Sequence, residues 1–147
     1  MKFRLPFLIA IVFAVAACDP AATTRLLIRP VSPASEDSQA SIGLQQVELI
    51  GTLLQARGFT KKSYENPHVP AEDQKSILTD CGHLSYWMRE VNHHTMWAHV
   101  CLKNDGVLVS LVDYLSVTAP PATQALAKEL AAEISTFIKN VRLEVSQ

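Results

Sequence analysis

The sequence predicts an α+β domain: a helix, three to four antiparallel strands and a second helix, with both helices packed on one face of the sheet. Three observations carry this. Gly43, Val47, Ile50 and Leu54 follow one another at helical spacing until Gly58. Two segments of period-two alternation, Leu84/Tyr86/Met88 and Met96/Ala98/Val100/Leu102, flank a polar stretch and lead to the turn signal Asn104-Asp105-Gly106. A last apolar stripe, Leu126, Leu130, Ile134, Phe137, Ile138 and Val141, follows the helix-start signal of Thr118, Pro120 and Pro121.

Taken in order, Ser35 is the N-cap of the first helix and Glu36 and Asp37 sit where its dipole favours negative charge, so residues 36–57 are expected to be helical. Gly58 closes it. Phe59 to Tyr64 alternates and reads as a strand, and Glu65 to Lys75, with Pro67 and Pro70, as a loop. For the central hairpin, turning both even-numbered apolar sets the same way requires a three-residue loop centred on Val91. That register sets Cys81 opposite Cys101 and His83 opposite His99, and it puts the helices on the even face. Val107 to Leu115 forms the next strand, expected to place Tyr114 opposite Trp97 and Val112 opposite His99. The closing helix then runs through Val141.

The chain has 147 residues, 48% of them hydrophobic and 18% charged, with 5 Gly and 8 Pro, a composition that fits one ordinary domain. Its amino terminus stands apart. Lys2 and Arg4 precede an apolar run from Leu5 to Ala17, too short to span a bilayer, which needs about 20 residues, so residues 1–17 read as an export leader that is cleaved. Losing Lys2 and Arg4 moves the formal charge from −1 to −3. No basic field remains to recruit nucleic acid. Residues 18–34, with Pro20, Pro30 and Pro33, read as a tether reaching roughly 50 Å if fully extended, in which Arg25 to Arg29 is a further candidate strand. Residues 35–147 form the single domain.

Val15-Ala16-Ala17-Cys18 at the end of the leader resembles the lipobox of bacterial lipoproteins: an aliphatic residue, two small residues and a cysteine. The resemblance covers the leader alone, and the mature domain resembles no family on its residues. It implies a diacylglycerol thioether on Cys18 and fatty acylation of its amino group, together enough to hold a protein on a membrane. Asp19 resembles the inner-membrane retention signal of enteric lipoproteins, and other bacteria sort by other rules, so the outer membrane remains open. The resemblance places the domain on the periplasmic side of the envelope.

An exported chain folds under oxidising conditions, and once Cys18 carries lipid, Cys81 and Cys101 are the two cysteines left to pair. A bridge between them closes a loop of about 20 residues and stabilises by roughly 3 kcal/mol in the chain-entropy model. A zinc site of Cys81, Cys101, His83 and His99, or a Cys81 nucleophile activated by histidine, competes for the same residues. His93 and His94 beside Glu90 and Asn92 form a second cluster of metal-ligand type. Asp113 interrupts an apolar strand, so it needs a partner such as Arg57 or a place near the sheet end.

Trp87, Trp97, His99 and Tyr114 are expected together on the odd face, as an aromatic platform for binding or a surface under a second layer. The sequence contains no H-E-x-x-H, G-x-S-x-G, S-x-x-K, C-x-x-C or Gly-rich phosphate loop. The function expected is therefore a non-catalytic, lipid-anchored envelope protein that binds a protein partner as an accessory, inhibitor or immunity module. The alternative is a small-ligand or metal sensor or carrier using His83, His93, His94 and His99, and a hydrolase with an unrecognised site is the third reading.

Overall fold

The computed structural model describes residues 22–31, 36–63, 81–91, 94–113 and 121–147. The leader, Cys18, Asp19, the expected N-cap Ser35, the 65–75 loop, His93, Tyr114 and Thr118 lie outside the described residues. The elements are β1 (Ala22–Pro30), α1 (Glu36–Ala56), β2 (Thr60–Lys62), β3 (His83–Val91), β4 (His94–Lys103), β5 (Gly106–Asp113), α2 (Pro121–Phe137) and β6 (Val141–Ser146). The six strands form one antiparallel sheet in the order β2-β3-β4-β5-β1-β6. The α+β class holds, with six strands rather than three to four. Among the described residues no helix is long and apolar enough to cross a membrane.

Both helices lie on one face. There Ile50 and Leu54 of α1 and Leu130 and Ile134 of α2 close over Leu26 and Ile28 of β1, Ala98 and Val100 of β4, and Val107, Val109 and Leu111 of β5. The end of α1 follows its glycine. Gly58 adopts φ 80°, Phe59 N–H donates to Leu54 C=O (3.1 Å) and Gly58 N–H to Gln55 C=O (3.0 Å), the two bonds of a Schellman cap. The cap reverses the chain, so that Phe59 turns inward while Thr60 to Lys62 add a short edge strand to β3. Arg57 is held against α2 by Glu133 and Glu129 rather than opposite Asp113. Asp113 is buried as the last residue of β5, at the sheet end.

The candidate strand at Arg25 to Arg29 is present and longer than expected: nine residues form β1, which is inserted between β5 and β6. Thr23 to Ile28 alternates inward at even positions (Thr24, Leu26, Ile28), and the Thr24 hydroxyl meets that of Thr123 at the start of α2 (2.8 Å). Three expectations are corrected, the extent of the second helix and the registers of two hairpins. The second helix stops at Phe137, and Asn140 at φ 61° reverses the chain into β6. Val141 and Leu143 then pack on the same core from a strand rather than from a helix.

The hairpin registers also differ from expectation. Val91 pairs with His94, so Tyr86 lies opposite His99, Trp87 opposite Ala98 and Met88 opposite Trp97. In this register the odd positions of β3 and the even positions of β4 share the helix-covered face. Trp87 decides it: its indole reaches α1 at Gly51, where a Cβ would come within 2.8 Å of the ring, so the glycine makes room for the largest apolar side chain of the strand. At the next hairpin the turn is carried by Asn104 and Asp105 alone, which sets Trp97 opposite Val112 and His99 opposite Ser110. Gly106 is required at the first paired position because β1 passes so close that a Cβ would overlap the Ile28 carbonyl.

Candidate functional site

The face of the sheet opposite the helices carries the candidate site. Direct pairing defines its rows. One row reads Lys62, Tyr86, His99, Ser110, Arg25 and Ser146, from β2 across to β6. The next, toward the end where β1 begins, reads Met88, Trp97, Val112 and Thr23; on the other side lie Leu84, Cys101, Leu108, Leu27 and Glu144. Tyr86, Cys101 and Val112 are buried, and Met88, Trp97, His99 and Ser110 are half-buried. The His99 ring stands edge-on to Tyr86 at 4.9 Å between centroids and to Trp97 at 6.4 Å. Offset and edge contacts of this kind suit the opposed charge of ring edge and ring face.

Burial among these rings pushes the His99 imidazole below its ordinary value, because the cation loses hydration that the aromatic surround does not replace. The folded state therefore prefers neutral His99, and the unfolded chain binds the proton first as pH falls below about 6.5. Stability is expected to be full above that pH and to fall as the pH drops toward the lowered folded value. His99→Gln should flatten this part of the profile. Chemical denaturation of both proteins across pH 5 to 8 checks it, and parallel profiles would remove His99 as the cause.

The structure divides the residues expected together. Trp97 and His99 share the face opposite the helices; Trp87 does not, since it lies beneath α1 with its Nε1–H donating to Ser85 Oγ (3.0 Å). His83 pairs with Leu102 and so belongs to the opposite side from His99. The four-ligand zinc arrangement on Cys81, Cys101, His83 and His99 is thereby split. Cys81 and Cys101 are joined as a disulfide, with their Cα atoms 5.4 Å apart. Among the described residues no three His, Cys, Asp or Glu side chains converge as ligands. Tyr86, Met88, Ser110 and Arg25 are the members sequence reasoning missed. For Tyr86 and Met88 the signal was Trp87 itself, since a tryptophan between them makes β3 apolar on both sides.

The arrangement offers stacking and apolar contact at the centre, with hydroxyl and cationic groups at Ser110, Arg25 and Lys62 around it. Aromatic groups ringed by polar ones are a composition common at recognition surfaces. Comparison of the chain with protein-family models, with curated proteins and with solved structures gives no match.

Proposed function

We propose that this chain is a non-catalytic, lipid-anchored lipoprotein of the bacterial cell envelope, whose domain binds a protein partner on the periplasmic side through the sheet face centred on Trp97. Its role is that of an accessory, inhibitor or immunity module. The anchor rests on the lipobox Val15-Ala16-Ala17-Cys18, with Asp19 favouring the inner membrane. Three residues separate Cys18 from β1, about 10 Å of chain, so an anchored domain stands close to the lipid rather than at the end of a long tether. The Cys81–Cys101 bond suits an oxidising compartment.

The observation that carries the binding half is Trp97, half-buried on the face opposite the helices beside Met88, His99 and the buried Tyr86. Tryptophan and tyrosine supply much of the energy of protein interfaces because they bury large areas at small entropic cost. The test is crosslinking in cells of the full chain, wild type beside Trp97→Ala, with captured proteins identified by mass spectrometry. A partner is expected with the wild type and lost, by at least tenfold in yield, with Trp97→Ala at equal abundance. Acylation is read from the same cells with an alkyne fatty acid, which should label the wild type and not Cys18→Ser. A partner retained equally by Trp97→Ala overturns the binding surface, and an unlabelled wild type overturns the anchor.

A further inference from the structure

β6 ends the sheet, with β1 on one side and no described strand on the other. Its backbone polarity follows from one bond. Val31 N–H donates to Asn140 C=O at 2.9 Å, in the same register that pairs Arg29 with Arg142 and Arg25 with Ser146. Antiparallel pairs alternate between hydrogen-bonded and non-bonded, so Asn140, Arg142 and Glu144 aim their amides at β1. Val141, Leu143 and Val145 then aim theirs outward, leaving three donors and three acceptors along the rim.

Exposed strand edges are usually guarded by charge, because a bare edge templates the addition of another strand. Here the charges have a particular order. Val141-Arg142-Leu143-Glu144-Val145 is its own antiparallel complement about Leu143: Val141 meets Val145, Arg142 meets Glu144 and Leu143 meets itself. The monomer leaves the set unsatisfied. Arg142 lies in register beside Arg29, a like charge, and makes no ion pair among the described residues, whereas Glu144 has only Arg29 at 3.7 Å. On the helix side of the strand Val145 is 40% exposed, and Phe137, at the end of the helix that packs on β6, is 62% exposed.

We infer that β6 is a self-association edge: a second copy of this chain adds its β6 antiparallel, centred on Leu143. The outward amides of Val141, Leu143 and Val145 would form about six main-chain hydrogen bonds. Each Arg142 would gain the other copy's glutamate on the outer face, and the valines and leucines would meet on the helix side. The two sheets become one, with all four helices on one side and both Trp97 faces on the other.

The test is the mass of the full chain, purified in density-matched detergent, by sedimentation at 1 to 100 μM. The wild type is expected to be dimeric at the upper end. Arg142→Glu and Glu144→Arg each set like charges opposite one another twice and should weaken the dimer at least tenfold. The double variant R142E/E144R should restore it. So should an equimolar mixture of the two single variants, since an all-acidic edge complements an all-basic one, and recovery on mixing cannot come from misfolded chains. A wild type that stays monomeric at 100 μM, a dimer indifferent to both single reversals, or a mixture that fails to associate overturns the inference.

Discussion

Phe59→Ala is expected to lower the folding free energy by about 3–5 kcal/mol, the range for removing a buried aromatic ring and leaving its space unfilled. Phe59 is 1% exposed and is among the largest fully buried side chains. It closes the Schellman cap of α1, begins the turn into β2 and lies under the Arg89 guanidinium, whose Cζ is 4.8 Å from the ring centroid. Arg89 depends on it. Its Nη1–H donates to the Arg57 carbonyl (3.0 Å), but its Nε is buried without a hydrogen-bond partner, so the ring face offsets part of its lost hydration. Phe59→Leu keeps most of the apolar volume and loses only the ring face, so it should cost less, about 1–2 kcal/mol. A double-mutant cycle with Arg89→Met separates the two contributions: a coupling of about 0.5–2 kcal/mol is expected, and strict additivity would mean the stacked cation contributes nothing.

The same cap shows what was legible in the chain. Gly58 after a helical pattern marks an end because a left-handed residue is needed there, and no tertiary contact alters that need. The carboxyl end of α1 was therefore found within one residue, and α2 begins at Pro121, within the expected Pro120-Pro121 start. The carboxyl end of α2 was not. Ile134, Ile138 and Val141 continue the helical spacing, and Asn140, which adopts the left-handed conformation without glycine's plain signature, was the only break. Phe137, placed on the apolar stripe by its spacing, is exposed, whereas Ile134 and Ile138 on either side of it pack on the core.

The central register failed for a different reason. Alternation specifies a face only when one side of the strand is polar, and β3 presents Leu84, Tyr86 and Met88 on one side and Trp87 on the other. What settled the competition was Gly51 on α1, some 36 residues away, and no local pattern reports a cavity made by a distant helix. The site was half legible in consequence: Trp97 and His99 were found together, with Trp87 exchanged for Tyr86. Should two copies join at β6, each β1 would lie second from the shared seam and run antiparallel to the other. Both Trp97 faces then point the same way, so a partner with two matching sites is held by avidity.

Removing the disulfide with Cys81→Ala and Cys101→Ala together is expected to cost about 3 kcal/mol, or roughly 10 °C in the thermal midpoint. The bond joins residues 20 apart and encloses β3 and most of β4, the hairpin that carries Tyr86, Trp97 and His99. Alanine is the informative replacement, because Cys101 is buried and a serine would add the separate penalty of a buried hydroxyl. Gly82 N–H also donates to the Leu102 carbonyl (2.8 Å), so the native contact has a hydrogen bond that survives the loss of the bridge. The folded state should thus keep its register while the unfolded chain gains freedom. Wild type treated with a reductant ought to match the double alanine variant, and a reduced protein as stable as the oxidised one would show that the bridge constrains nothing. Made in a reducing cytoplasm without residues 1–17, the chain should show the same deficit, recovered on oxidation.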